Sequence, residues 1–211
     1  MKALLVNGSP HEHGCTYTAL NHVAKALREE GVEPQIYWIG NSSIHGCMDC
    51  GKCAELRCCV LQDKVNEFRE IAKNFDGYIF GTPVYYAGMN GSMKAFMDRL
   101  FFSDLWGQRN TFTMKPAASV ITARRAGTTA AYDQINKYFA HNQMPIISST
   151  YWNLAYGMKP DQIEKDAEGI YTMENLGRNM AYFLKCVDAG KRQGVPLPSQ
   201  MRPQPVRQSA G

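Results

Sequence analysis

Apolar positions along the chain fall into short runs and helical stripes that alternate. Residues 2–7 (KALLVN) form a compact apolar run that stops at Gly8. That length and that breaker predict a buried parallel strand. Residues 16–30 place Leu20, Val23, Ala24 and Leu27 on one helical face and end at Gly31. A second strand is predicted at 34–39 (PQIYWI). A helix at 62–73 carries Val65, Phe68, Ile71 and Ala72 as its apolar stripe. Residues 76–80 (DGYIF) predict a third strand, 91–102 a helix, and 118–122 (ASVIT) a fourth strand. A helix at 128–141, a fifth strand at 144–149 (MPIISS) and a last helix at 172–188 complete the pattern.

Strand then helix, repeated five times, predicts a doubly wound five-stranded parallel sheet with helices on both faces. In such sheets a ligand binds at the carboxyl ends of the strands, where strand order reverses. The loops after strands one, three and four therefore matter most. One domain is expected over residues 1–193. Residues 194–211 hold four prolines in 18 positions and no periodicity, and read as an irregular Pro-rich tail.

Composition changes this picture little. The 211 residues are 45% hydrophobic and 20% charged, ordinary for a globular domain. A net charge of +4 without a long basic run falls short of a nucleic-acid interface, so no nucleic-acid partner is expected. No apolar stretch is long enough for a signal peptide or a membrane span. A cytoplasmic protein with reduced thiols is expected.

Candidate chemistry sits in three loops. "NGSPHEHGCTYT" (7–18) joins the first strand to the first helix. A helix N-terminus offers free N–H groups and a positive dipole end to an anion. Ser9, Thr16 and Thr18 add hydroxyls, and His11 can add charge. The same residues would also serve a capped helix after a tight turn. Neither G-x-G-x-x-G nor G-x-x-x-x-G-K-[ST] is present, which argues against a dinucleotide fingerprint or an ATP loop. "GTPVYYAGMNGSMKAFMDRL" (81–100) puts Tyr85, Tyr86 and Met89 at the carboxyl edge, where a flat ring can pack. Arg124 and Arg125 follow the fourth strand.

On "NGSPHEHGCT" and "GTPVYYAGMNGSMKAFMDR", the chain resembles the NADPH-dependent FMN reductases of the flavodoxin-like fold, whose sheet order is 2-1-3-4-5. The resemblance implies FMN as cofactor and NAD(P)H as substrate. It implies a phosphate loop at Ser9, His11, Cys15, Thr16 and Thr18. It implies a ring loop at Thr82, Pro83, Val84, Tyr85, Tyr86 and Gly88, and a third flavin loop at Ala123, Arg124, Arg125, Gly127 and Thr128. Many family members carry Arg where this chain has His11. Charge at that place then depends on pH, since free His titrates near pH 6.5.

"GCMDCGKCAELRCC" (46–59) holds five of the chain's seven cysteines. Zinc sites favour two separated C-x2-C pairs. Three cysteines in C-x2-C-x2-C, with a later fourth, suit a cubane cluster. Reduced thiols without iron remain a further reading. The pattern resembles the iron–sulfur flavoproteins, a branch of the same family, and implies a [4Fe-4S] cluster on Cys47, Cys50, Cys53 and Cys59. Cys59 is preferred over Cys58 because "CVLQDK" matches the branch's C-V-x-x-D segment.

The expected function is an FMN-dependent oxidoreductase that takes electrons from NAD(P)H. The acceptor is left open between a small molecule and a redox partner protein. The competing reading is an FMN electron carrier that does not turn over NAD(P)H. No catalytic side chain is expected beyond those that bind the flavin. The tail and the aromatic segment "STYWNLAYG" (149–157) predict a homodimer or homotetramer.

Overall fold

The computed structural model describes residues 1–199. Its central strand pair is β1 (Lys2–Asn7) and β3 (Gly77–Tyr85), parallel, with Leu5 opposite Ile79. β2 (Glu33–Trp38) flanks β1 on the other side, with Leu5 opposite Ile36. β5 (Ala117–Ala123) runs parallel to β3, and β6 (Leu154–Tyr156) runs parallel to β5. A two-residue strand, β4 (Gly88–Met89), folds back antiparallel on the end of β3. With that hairpin strand left out, the parallel order is the expected 2-1-3-4-5.

Helices cover both faces because every central strand is apolar on both sides. α1 (Cys15–Glu29) and α7 (Ala167–Arg192) pack on one face through Leu20, Val23, Leu27, Leu176 and Met180. α3 (Lys64–Ala72), α4 (Gly91–Trp106) and α5 (Thr128–His141) cover the other through Phe68, Phe96, Leu100, Ile135 and Phe139. Two one-turn helices, α2 (Cys53–Leu56) and α6 (Pro160–Ile163), lie in the loops. No helix of the described residues is long and apolar enough to cross a membrane.

Two expectations need correction. The run at 144–149 makes only one isolated bridge, Ile146 to Ala117. Pro145 offers a carbonyl to Ala117 N at 2.9 Å but has no N–H to continue the ladder. The fifth parallel strand is β6, inside the aromatic segment that showed no clear element by its pattern. The third strand runs on to Tyr85, past the expected stop at Phe80. The ring loop is therefore the end of a strand plus a tight hairpin. α7 ends at Arg192 and residues 194–199 carry no helix or strand. The rest of the expected tail, 200–211, lies outside the described residues.

Candidate functional site

The turn from β1 into α1 is held by its own polar groups. Asn7 accepts from Ser9 N at 3.0 Å and donates to Glu12 O at 2.9 Å. Ser9 Oγ accepts from His11 N at 3.1 Å, and Trp38 Nε1 donates to Ser9 O at 2.8 Å. No side chain caps α1, whose N-cap position is Gly14. The first-turn N–H groups of α1 therefore keep no side-chain acceptor and present a positive end to the cleft. α5 begins the same way, uncapped at Gly127. The other helices of eight residues or more start on Asp63, Asn90 and Asp166, each of which accepts N–H bonds. The two uncapped long helices are the two that follow the loops expected to meet the phosphate and the third edge of the flavin.

The β3–β4 hairpin turns on Tyr86 (φ 49°) and Ala87 (φ 59°). Two positive φ values in a two-residue turn are the geometry that matches the twist of a hairpin. For non-glycine residues this conformation is strained, and such strain persists only where the surroundings hold it. The surroundings here are the third loop. Gly127 (φ 87°) lies so close under the turn that a Cβ on it would meet Ala87 Cα at 2.7 Å. Gln134 of α5 accepts from Met89 N at 3.0 Å. Behind the hairpin, Thr82 Oγ1 accepts from Asn90 N at 3.1 Å, and Asn90 caps α4.

These loops enclose one cleft of about 740 Å³ at the carboxyl edge of the sheet. Of the residues expected for the phosphate, Ser9, His11, Cys15 and Thr16 line it; Thr18 instead donates to Gly14 O along its own helix. From the ring loop, Pro83, Val84 and Tyr85 line it. Thr82 and Gly88 hold the hairpin from behind, and Tyr86 stands fully exposed at the tip. From the third loop, Ala123 and Arg124 line the cleft. Arg125, Gly127 and Thr128 do not; Thr128 Oγ1 bonds Tyr156 OH at 2.9 Å. Deep in the cleft, Thr16 Oγ1 and Thr122 Oγ1 are 2.9 Å apart. Cys15 Sγ reaches Gly157 O at 3.5 Å, and burial pushes its thiol pKa up.

Some cleft residues escaped the sequence reading. Trp38 and Thr122 end strands that were recognised, so topology alone pointed to them. Gly157, Met158 and Lys159 follow β6, which was placed ten residues too early.

The cysteine loop packs on the flank of α4. Cys47, Cys50, Cys53 and Cys59 all line one small pocket, closed by Arg99, Phe102 and Ser103 of α4; Cys58 does not line it. Burial is the main cause raising the Cys53 thiol pKa, with Cys50, Cys47 and Cys59 adding to it as near neighbours. Among the described residues no three His, Cys, Asp or Glu side chains gather tightly enough to share a single metal ion. The four thiols share the lining of this pocket. Cys59 is the most firmly held. Asn66 of α3 accepts from Cys59 N at 3.2 Å and donates to Cys59 O at 2.8 Å.

The model of the NADPH-dependent FMN reductases matches residues 1–159. The chain belongs to that family. An iron–sulfur flavoprotein of Methanocaldococcus jannaschii is 28% identical over 193 residues, 89% of this chain and 99% of the relative. A second iron–sulfur flavoprotein of the same organism is 30% identical over 198 residues, 88% of this chain and 98% of the relative. Within the FMN reductases, the chain thus falls in the iron–sulfur flavoprotein branch. Among solved structures, a WrbA-like flavodoxin of Agrobacterium tumefaciens superposes with TM-score 0.62 at 14% identity, covering 88% of this chain and 98% of its own. The fold is flavodoxin-like.

Proposed function

We propose that the protein carries electrons from NAD(P)H through bound FMN to an acceptor, with a [4Fe-4S] cluster in the cysteine pocket. The observation that carries this is one cleft joining the uncapped start of α1 to the strained hairpin. The N–H groups of Cys15 and Thr16, with Ser9 and His11 beside them, fit a single terminal phosphate. Val84 and Tyr85 border the place for a flat ring, and their backbone can bond its polar edge. Arg124 stands at the lip, within reach of a pyrimidine edge or of a nicotinamide nucleotide's phosphate. Cys47, Cys50, Cys53 and Cys59 would hold the cluster, one iron each.

When bound, FMN would exchange two electrons with the nicotinamide, and the cluster one electron at a time with its neighbours. The protein's own part is to bind, to orient and to keep the ring face open. No acid–base pair is needed. The acceptor is a small molecule or a redox partner protein. We also assign a homodimer or homotetramer, because Tyr85, Tyr86, Tyr151 and Trp152 are exposed near the cleft edge of the sheet or beside its last strand.

Protein purified without oxygen tests the reading. Released flavin identified as FMN, iron near four per chain, and NAD(P)H oxidation with a quinone acceptor are expected. Bound FMN without NAD(P)H turnover would make it an electron carrier instead. Absence of flavin after reconstitution would overturn the proposal.

A further inference from the structure

We propose that Arg99 is the positioning residue of the fourth cluster ligand, and that it raises the cluster's reduction potential through the sulfur of Cys59. The inference rests on the [4Fe-4S] reading above. Arg99 lies on α4, nine residues after the Asn90 cap, and is 1% exposed. Its Nε and Nη2 donate to Cys59 Sγ at 3.3 and 3.2 Å. Nη1 and Nη2 also meet the two oxygens of Asp63, at 2.5 and 2.9 Å. The carbonyl of Leu61 accepts from Nη2 at 3.2 Å.

A buried arginine needs a partner for its charge, and Asp63 supplies one. Asp63 does not account for the whole arrangement. The Asp63 fork uses only the two terminal nitrogens, so Nε would be a buried donor without an acceptor if the sulfur were absent. The guanidinium plane is instead aimed so that one edge faces carboxylate and another faces sulfur. Asn66 fixes the backbone of the same cysteine from α3. Cys59 is thus held at both backbone and side chain by buried polar groups from two helices.

When bound at these cysteines, the cluster would supply one-electron chemistry, and the added negative charge would fall partly on the ligand sulfurs. Hydrogen bonds and positive charge at a ligand sulfur stabilise that state, which raises the potential. Arg99 supplies both. It also ties the pocket to the flavin cleft mechanically, since its helix starts on the residue that bonds Thr82 behind the hairpin.

The test uses iron-loaded, flavin-loaded protein kept anaerobic. Arg99→Lys keeps a charge but loses the fork. The pair Arg99→Met with Asp63→Leu removes both charges of the ion pair together. In a redox titration followed by electron paramagnetic resonance, the cluster midpoint should fall in both, because both lose the hydrogen bonds to the Cys59 sulfur. The flavin midpoints should hold. Iron should also leave faster to a chelator. A cluster midpoint equal to the parent's in both iron-loaded variants overturns the proposal. A second measurement needs no variant. Protein grown on isotopically labelled arginine should show a hyperfine coupling between the reduced cluster and arginine nitrogen. Its absence overturns the proposal even if neither variant folds. Failure of the cluster reading itself is seen separately, as parent protein without iron after anaerobic expression with iron.

Discussion

The hydroxyls of Thr16 and Thr122 meet at 2.9 Å across the floor of the cleft, both almost wholly buried. One comes from the first turn of α1 and the other from the end of β5. The bond ties the start of α1 to the strand that leads into the third loop. Thr16→Ala would leave Thr122 with a buried hydroxyl and no partner there, costing about 1–3 kcal/mol of stability. FMN affinity should fall about ten-fold, since the helix start loses its anchor. Thr16→Ser should keep both. Thermal melts of the flavin-free protein and fluorescence titration with FMN measure the two effects separately.

Gly127→Ala should damage the hairpin without touching it directly. The new methyl group would sit on a backbone at φ 87° and press on Ala87 Cα. Strain of about 1–3 kcal/mol is expected. Because the clash is with backbone, the hairpin must move, and flavin binding should weaken with it. Urea unfolding of the flavin-free protein and FMN titration are the measurements. Unchanged affinity would detach the third loop from the site.

Cys59→Ser and Cys58→Ser should differ sharply. Cys59 lines the pocket with three other cysteines, and Cys58 does not. Iron content after anaerobic purification should collapse or become labile in Cys59→Ser and stay near the parent value in Cys58→Ser. FMN content should hold in both, because the flavin cleft shares no residue with the cysteine pocket.

Alkaline pH should unfold the protein through its tyrosines. Burial pushes Tyr37 and Tyr138 up to about 12 from an ordinary value of 10.0, and pushes Tyr78 higher still. The folded state keeps these protons while the unfolded chain releases them. Their contribution to stability is complete below pH 10 and is lost as pH rises through about 12. Denaturant midpoints should fall steadily over that interval, and the phenolate absorbance of these groups should appear together with loss of helix. Phenols that all titrate near pH 10 in the still-folded protein would contradict this.

Oligomeric state can be read from mass in solution. The rings of Tyr151 and Trp152 lie 4.9 Å apart, tilted by 54°, yet remain about half exposed. Light scattering at micromolar concentration should give at least twice the chain mass, and Trp152→Ser with Tyr151→Ser should shift it towards the monomer. A monomer for the parent protein would reject the assignment.

Much of this was legible from periodicity and breakers. The strands at 2–7 and 118–122 are short, apolar and sharply ended, and both lie close to where the pattern put them. The helices with clean stripes, such as the one carrying Val65, Phe68 and Ala72, behaved likewise. The fifth strand lies elsewhere than expected because MPIISS is a longer run with two adjacent β-branched residues, Ile146 and Ile147, while Leu154–Tyr156 is only three residues long; Pro145 prevents the longer run from extending a ladder. The hairpin was unreadable for a different reason. Tyr86 and Ala87 are not the residues that normally accept positive φ, so no local signal marks the turn. It is imposed by Gly127 and Gln134, more than 35 positions away. The flavin residues were approached through family resemblance. The four cysteines of the spacing line one pocket, but the α4 side chains that close it, Arg99 among them, are not revealed by spacing.

The cysteine loop sits outside the framework that closes the sheet. Between Gly40 and Gln62 only Ile44 packs against the main apolar core. The sheet and the cleft at its edge can therefore form without this loop's side chains in their core. If the thiols hold the proposed cluster, iron would be loaded late, onto a chain whose sheet is already complete. A chain starved of iron would then stay folded around its cleft.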